Sequence, residues 1–412
     1  MGIERRHRWI AVVAMGGLLV GCSSGASEGS GSDGAKATTT APAASTTAAA
    51  GSGSGDRVPG DEWVVEEPEA EGMDAATLEG AKDYAFVDGR NTQGVVVVRD
   101  GAIVGEWYAD GADADSWTAS WSVAKSFSSA VAGLAVEDGS IASVDDPAAD
   151  YFPEWEGTDK ADITVEDILH MQSGLEWDED YRPSSLDTSD VVQMGLSPNE
   201  LAYAAGRPVA HPPATVFNYS SGDAMILAGI IEGATGEPMR DYATEHLFEP
   251  IGMERADWWQ DAEGNTLGYC CLDSTARGFA RFGLLYLRDG RWGDEQVIPA
   301  TWVEASVENA SPADDDPGYG FMWWLLDDVD GVPDDAYAAQ GHDGQFIYVI
   351  PSLDLVVVRN GTYVKSTAPP VADPTLFALY PSGGLVPGQG TIAPNVWDAA
   401  HFLGPIVESI QN

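Results

Sequence analysis

Basic residues are scarce in this 412-residue chain: 20 Lys and Arg stand against 66 Asp and Glu, a formal net charge of −46. Gripping nucleic acid takes a local excess of Lys and Arg to displace counterions from the phosphates, so this balance excludes nucleic-acid binding through a basic surface. Docking on anionic lipid through a polybasic face is excluded on the same ground. The acidity itself argues only for a solvated, self-repelling surface. Cysteine is rarer still, at three, too few for a disulfide scaffold. The six histidines, at 7, 170, 211, 246, 342 and 401, have no zinc-like spacing. No Gly-x-x-x-x-Gly-Lys loop occurs, and no dinucleotide fingerprint opens a helix after a strand. Metal and nucleotide chemistry are unsupported, and no cofactor is expected. What the chain does have is 44% hydrophobic residues and 14 Trp, ample for a large core at a length that allows two or three structural units.

The first 21 residues read as an address. Arg5, Arg6 and Arg8 lead into the apolar run Trp9 to Val20, which is too short to span a bilayer. The run ends in Leu19-Val20-Gly21-Cys22, which resembles the lipobox of bacterial lipoproteins. That resemblance implies cleavage before Cys22, lipidation of its thiol, and a secreted protein anchored by lipid on the outer face of the cell membrane. An ordinary secretory leader with a chance cysteine is the alternative. Residues 22–60 are mostly Ser, Gly, Ala and Thr, which cannot bury enough apolar area to offset their ordering entropy and so read as a flexible tether. Two Gly-x-Ser-x-Gly matches, Gly21 to Gly25 and Gly25 to Gly29, arise from this composition and lie between no strand and helix.

From residue 61 to 412 the composition is globular. Two β-rich runs, Gly94 to Arg99 and Ala102 to Trp107, flank Asp100-Gly101, a strong hairpin signal. A second pair, Gln345 to Ile350 and Leu355 to Arg359, comes late, and Gly318 to Leu325 is expected to be a strand before it. Between them, Ser122 to Val136, Val165 to Met171, Ala224 to Glu232 and Ser274 to Leu287 carry apolar residues at helical spacing. The expected fold is α/β: an antiparallel sheet assembled from both chain ends and flanked by helices, with an all-helical domain inserted at roughly 140–275.

Chemistry is concentrated at Ser122-Val123-Ala124-Lys125. Of the five lysines only Lys125 has a serine three residues before it, and on a helix this spacing puts both side chains on one face. A serine hydroxyl needs a neighbouring base to become a nucleophile, and a desolvated lysine serves. A helix start also leaves backbone N–H groups free to hold an oxyanion. By itself the motif is weak, because chance produces such pairs. Its surroundings are specific: Val144 to Pro153, Ile163 to Leu169, Ser173-Gly174-Leu175, Pro212-Pro213-Ala214, Phe217 to Asp223, Glu249 to Met253, Ala280 to Gly283, and Gly341 to Gly344. In this order they resemble the β-lactamase-related serine hydrolases, which include class C β-lactamases, D,D-peptidases, esterases and 6-aminohexanoate-dimer hydrolases. The resemblance covers roughly residues 65 to 410 and implies the β-lactamase/transpeptidase-like fold.

Finer features are most similar to the 6-aminohexanoate-dimer hydrolase branch. Trp121 precedes the serine, Ser126-Phe127 follows the lysine, and Met171 stands where the wider family has histidine. The resemblance implies that Ser122 is the nucleophile, Lys125 its base, and Tyr219 the residue carrying the proton to the leaving group. It puts the oxyanion hole at the backbone N–H groups of Ser122 and Gln345, and makes Tyr181, in Trp177 to Tyr181, a flap closing over a small amide or ester. Ser221 and the turn His342-Asp343-Gly344 would face the substrate. Burial must depress the Lys125 pKa, with the many carboxylates held away, and an ammonium beside Tyr219 would push that phenol toward phenolate. Two departures bear on substrate: Ser221 stands where β-lactamases have asparagine, and His342 replaces the lysine of their Lys-Thr-Gly triad. Both count against efficient β-lactam hydrolysis. D,D-peptidase or weak β-lactamase activity is the alternative within enzymes, and a silent peptidoglycan- or peptide-binding lipoprotein the alternative outside them. If Cys22 is lipidated, Cys270 and Cys271 are left, and the expectation is two free buried thiols, with a bond between neighbours or between molecules as alternatives. Trp323 and Trp324 are expected in the core. Oligomeric state stays open.

Overall fold

The computed structural model describes residues 57–181, 185, 187–309, 318–363 and 397–410. The leader, the proposed lipidation site Cys22 and nearly all of the tether lie outside these residues. In chain order the elements are α1 (Ala75–Ala85), β1 (Thr92–Arg99), β2 (Ala102–Tyr108), β3 (Trp117–Ala119), α2 (Val123–Glu137), α3 (Val165–Leu169), α4 (Asp190–Gly195) and α5 (Glu200–Ala205). Then come α6 (Ser221–Thr235), α7 (Met239–Ala243), β4 (Asp257–Trp258), β5 (Leu272–Thr275), α8 (Ala276–Leu287), the small hairpin β6 (Arg291–Trp292) and β7 (Glu295–Gln296), and α9 (Ala300–Ser306). The chain closes with β8 (Trp324–Leu325), β9 (Tyr337–Gly341), β10 (Gln345–Ile350), β11 (Leu355–Gly361) and α10 (Ala399–Ser409).

The main sheet has the order β2-β1-β11-β10-β9-β8, with every pair antiparallel, so the two chain ends meet at β1 and β11. Asp100 and Gly101 both take positive φ, as the tight β1–β2 turn requires. Alternation along each strand separates two cores. Val96, Val98, Ile347, Val349, Val356 and Val358 face α8 and the helical region. Val95, Val97, Tyr348, Ile350, Leu355 and Val357 face α1 and α10. Each such valine or isoleucine contributes about 1.5–3 kcal/mol by leaving water, which is why β1 reads as a continuous apolar run.

Two expectations need correction. The stretch 318–325 is a strand only at Trp324–Leu325; before it the chain folds back, with Gly318 and Met322 at positive φ and the Gly320 N–H donating to the Trp323 carbonyl. The inserted region is helical from α3 to α7 but not to its end. Asp257–Trp258 and Leu272–Thr275 are strands that join β3 in a second sheet, order β3-β5-β4, with β5 running directly into α8.

Helix α8 lies close on the sheet at Gly283, where a Cβ would sit 2.6 Å from Val356 Cγ1 and 2.8 Å from Ile347 Cγ2. Both neighbours are β-branched and stiff, so little can give. Gly283→Ala should therefore destabilise the protein by about 1–3 kcal/mol, read from urea denaturation. Unchanged stability would show that α8 can lift from the sheet without cost.

Candidate active site

The two residues before Ser122 fix its position. The Ser120 N–H donates to the Leu272 carbonyl and the Ser120 hydroxyl accepts from the Leu272 N–H, both at 2.9 Å, pinning this loop to β5. Trp121 is held at φ +46°, an unfavourable region for a tryptophan. Its indole Nε1 donates to Asp343 Oδ2 at 3.2 Å. Ser122 then sits just before α2 without a side-chain cap, and the N–H groups of Val123, Ala124 and Lys125 donate to the carbonyls of Ser120, Trp121 and Ser122. Across from it, a Cβ on Gly341 would lie 2.5 Å from the Ser120 carbonyl, so only glycine lets β9 approach this loop.

Lys125 is 1% exposed. Its Nζ lies 2.9 Å from Ser122 Oγ, 3.1 Å from Ser221 Oγ and 3.2 Å from the Tyr269 carbonyl. Three oxygens match the three donors of an ammonium. Burial lowers the amine's pKa to about 8, with the Glu179 carboxylate pulling the other way. The expectation that carboxylates stay at a distance is thus overturned by Glu179, which lies inside the site.

Tyr219 packs its ring 4.9 Å from Lys125 Nζ, with Ser122 close enough to its hydroxyl to offset part of its pKa shift. Its pKa is raised, by burial first and by Glu179 second. The expected drift toward phenolate is therefore reversed: Tyr219 stays a phenol, because burial and the nearby negative charge of Glu179 hold its proton. Ser220 precedes α6, its hydroxyl capping the helix at the Asp223 N–H and its own N–H donating to Met171 Sδ at 3.4 Å. Met171 thus anchors the segment carrying Tyr219.

Glu179 is the residue that sequence reasoning passed over. Its Oε1 accepts from the Ser221 hydroxyl at 2.6 Å and the Tyr181 hydroxyl at 2.7 Å. Its Oε2 accepts from Trp177 Nε1 at 2.5 Å and the Ser221 N–H at 3.0 Å. Tyr181 lies over the site with its ring 5.4 Å from that of His342, which in turn lies 5.2 Å from Trp121. His342 Nδ1 is 2.8 Å from Asp343 Oδ1. Behind the turn, the fully buried Arg359 donates to the carbonyls of Asp343 and Gly344 at 2.7 Å each. The Gln345 N–H closes the turn onto the His342 carbonyl, and the Gln345 side chain is held by Asn360 and Gly361. In this geometry, then, Gln345 offers an oxyanion only a shared donor. Of the two tryptophans, Trp323 is core, whereas Trp324 is half-buried and stacks on Tyr219 at 5.4 Å.

Cys270 and Cys271 are bonded to each other, which corrects the expectation of free thiols. The chain turns sharply there, with Cys271 at φ +71° and the Cys270 carbonyl accepting from Trp258 Nε1 at 3.0 Å. The turn follows Tyr269, whose carbonyl faces Lys125. The structure thus brings Ser122, Lys125, Tyr181, Tyr219, Ser221 and the turn 342–345 together. Among the described residues no cluster of His, Cys, Asp and Glu suits a metal ion.

A family model described as Beta-lactamase matches residues 84–379. The 6-aminohexanoate-dimer hydrolase of Paenarthrobacter ureafaciens is 25% identical over 289 residues, covering 65% of this chain and 72% of that protein. A D-aminopeptidase of Cereibacter sphaeroides is 26% identical over 176 residues, 41% of this chain and 33% of that enzyme. Among solved structures, a Bacillus anthracis protein assigned to the 6-aminohexanoate-dimer hydrolases superposes with a TM-score of 0.60 at 26% identity, over 68% of this chain and 75% of its own. EstCE1, a hydrolase with promiscuous acyltransferase activity, shares the fold at a TM-score of 0.59 and 15% identity, over 82% of this chain and 98% of its own. The chain belongs to the beta-lactamase family, as a serine hydrolase related to 6-aminohexanoate-dimer hydrolases and D-aminopeptidases.

Proposed function

We propose that this protein cleaves small amides or esters through an acyl-enzyme on Ser122, with a substrate range close to that of 6-aminohexanoate-dimer hydrolases. The observation that carries the reading is the 2.9 Å contact between Ser122 Oγ and the buried Lys125 amine. In the neutral form that amine takes the Ser122 proton as Oγ bonds to the substrate carbonyl carbon, whose π electrons pass to oxygen. The Ser122 N–H, at the start of α2, receives the oxyanion, with the Gln345 N–H as a shared second donor. When the intermediate collapses, the C–N or C–O bond breaks. Tyr219 gives its proton to the leaving group and is refilled from the Lys125 ammonium. Water then attacks the acyl group by the reverse relay.

Substrate preference follows from what the site spends elsewhere. The Ser221 hydroxyl is engaged by Lys125 and Glu179, so it is not the free amide-binding group that an asparagine would be. The buried Arg359 donates to carbonyls behind the turn and offers no cation to a β-lactam carboxylate. Tyr181, Trp324 and His342 leave apolar walls suited to a linear acyl chain. We also place the enzyme outside the cytoplasm, anchored through a lipid on Cys22; the leader's basic start, short apolar run and lipobox-like end support this.

Three outcomes are expected. Fluorophosphonate should label Ser122, found by mass spectrometry, and Ser122→Ala should lose both labelling and turnover of p-nitrophenyl butyrate; retained turnover would displace Ser122. Because the neutral amine is the working base, kcat/KM for that ester should rise with pH and level off above about 8, the pKa burial gives Lys125. A plateau already reached at pH 6 would assign the base elsewhere. Comparison of kcat/KM should put the butyrate ester ahead of nitrocefin, and a wide margin for nitrocefin would reverse the substrate assignment.

A further inference from the structure

Glu179 closes a hydrogen-bonded line that starts at the nucleophile. Ser122 Oγ contacts Lys125 Nζ, Lys125 contacts Ser221 Oγ, and Ser221 Oγ donates to Glu179 Oε1. One hydroxyl can accept from lysine and donate to a carboxylate at once, so the line is chemically consistent. We propose that Glu179 is a positioning residue for catalysis, the fixed counter-charge that stabilises the Lys125 ammonium formed when Ser122 gives up its proton. This rests on the reading of Ser122 and Lys125 given above, and adds a third, anionic member to that pair.

A role as a direct substrate contact fits the geometry less well. The carboxylate has about four lone-pair positions, and Ser221 Oγ, Ser221 N, Tyr181 Oη and Trp177 Nε1 occupy them. The four donors ask for a carboxylate but leave its charge without a partner, and a carboxylate in a half-buried site costs free energy unless a cation is near. Lys125 supplies that cation through one hydroxyl. The Ser221 N–H opens the 15-residue helix α6, whose positive end adds to the same stabilisation.

Other titratable groups surround the pair. Tyr219 and Tyr269 face Lys125 from the segments before α6 and β5, and Tyr181 faces Glu179 from the flap. All three phenols are raised, so they stay neutral and leave the carboxylate as the charge. His342 and Asp343 face Tyr181 across the site. Glu200, which accepts from the Tyr269 hydroxyl at 2.7 Å, is pushed by burial up to about 8 and ionises over the range where Lys125 does. Its contribution is common to wild type and variants, so their difference isolates Glu179.

The test is the pH profile of p-nitrophenyl butyrate hydrolysis by the full chain and by Glu179→Gln. Without the counter-charge the ammonium is less favoured, so the acidic limb of kcat/KM should move down by about one pH unit. The same loss weakens the transition state in which the ammonium forms, so the plateau should fall about tenfold, and the two profiles should converge at acid pH. A lower plateau with an unmoved limb would mean a structural role and overturn the proposal, as would a rise in KM alone. Should Glu179→Gln not fold, judged by circular dichroism, Ser221→Ala breaks the relay from another element. Its limb should move in the same direction, and an unmoved limb overturns the proposal. Wild-type fluorophosphonate labelling at Ser122 is the control: its absence would fail the underlying reading, and labelling with an unmoved limb would fail this proposal alone.

Discussion

Burying one lysine amine at the start of a helix organises this site. A side chain 1% exposed can keep an ionisable amine only if its charge is discouraged or its donors are met, and both hold for Lys125. Its three oxygen partners come from three places: Ser122 at the start of α2, Ser221 at the start of α6, and the Tyr269 carbonyl beside the bonded pair Cys270–Cys271. In the proposed mechanism, this placement holds the amine where it can act as the base for Ser122. Much of the surrounding structure can be understood as support for that placement, from the two hydrogen bonds between Ser120 and Leu272 to the cap that Ser220 puts on α6.

The negative charge of the chain is not spread passively over the surface. One carboxylate enters the site on the segment Trp177–Tyr181 and is tied there by four donors. Burial first, and its field second, raise the phenols of Tyr181 and Tyr219, so the neighbours of Lys125 remain proton donors. A phenol that stays protonated is suited to relay a proton and unsuited to begin the reaction as a base. In the mechanism proposed above, that division of labour leaves proton abstraction to the amine.

On the opposite wall, the turn 342–344 depends on a buried guanidinium. Arg359 sits on β11, fully buried, and its donors point at the Asp343 and Gly344 carbonyls, the Thr92 hydroxyl and the Arg90 carbonyl. The turn holds Asp343 at φ +61°, and the bonds to its carbonyl help keep it there. Because Asp343 also accepts from Trp121, this wall and the nucleophile's loop are fastened to each other. The cation supports the turn from behind, through its backbone carbonyls.

Much of this was legible in the sequence wherever the signal is local. The Asp100-Gly101 hairpin, the apolar strand runs at both ends, helices α2, α6 and α8, and the Ser122–Lys125 spacing all depend on residues a few positions apart, and composition, periodicity and turn chemistry report them directly. Three features were decided only by tertiary structure. The stretch 318–325 is apolar and aromatic enough for a strand, but Met322 takes a left-handed conformation because its backbone is claimed by Leu169 and Ser126. Cys270 and Cys271 are bonded because the chain turns between β4 and β5, which spacing alone does not reveal. Glu179 is one of 66 acidic residues, and within the flap segment Trp177 to Tyr181 nothing marks it above its neighbours Asp178 and Asp180. It matters because the flap lays it against the first residue of α6, 42 positions away, and a field that falls off with distance acts on what is near in space.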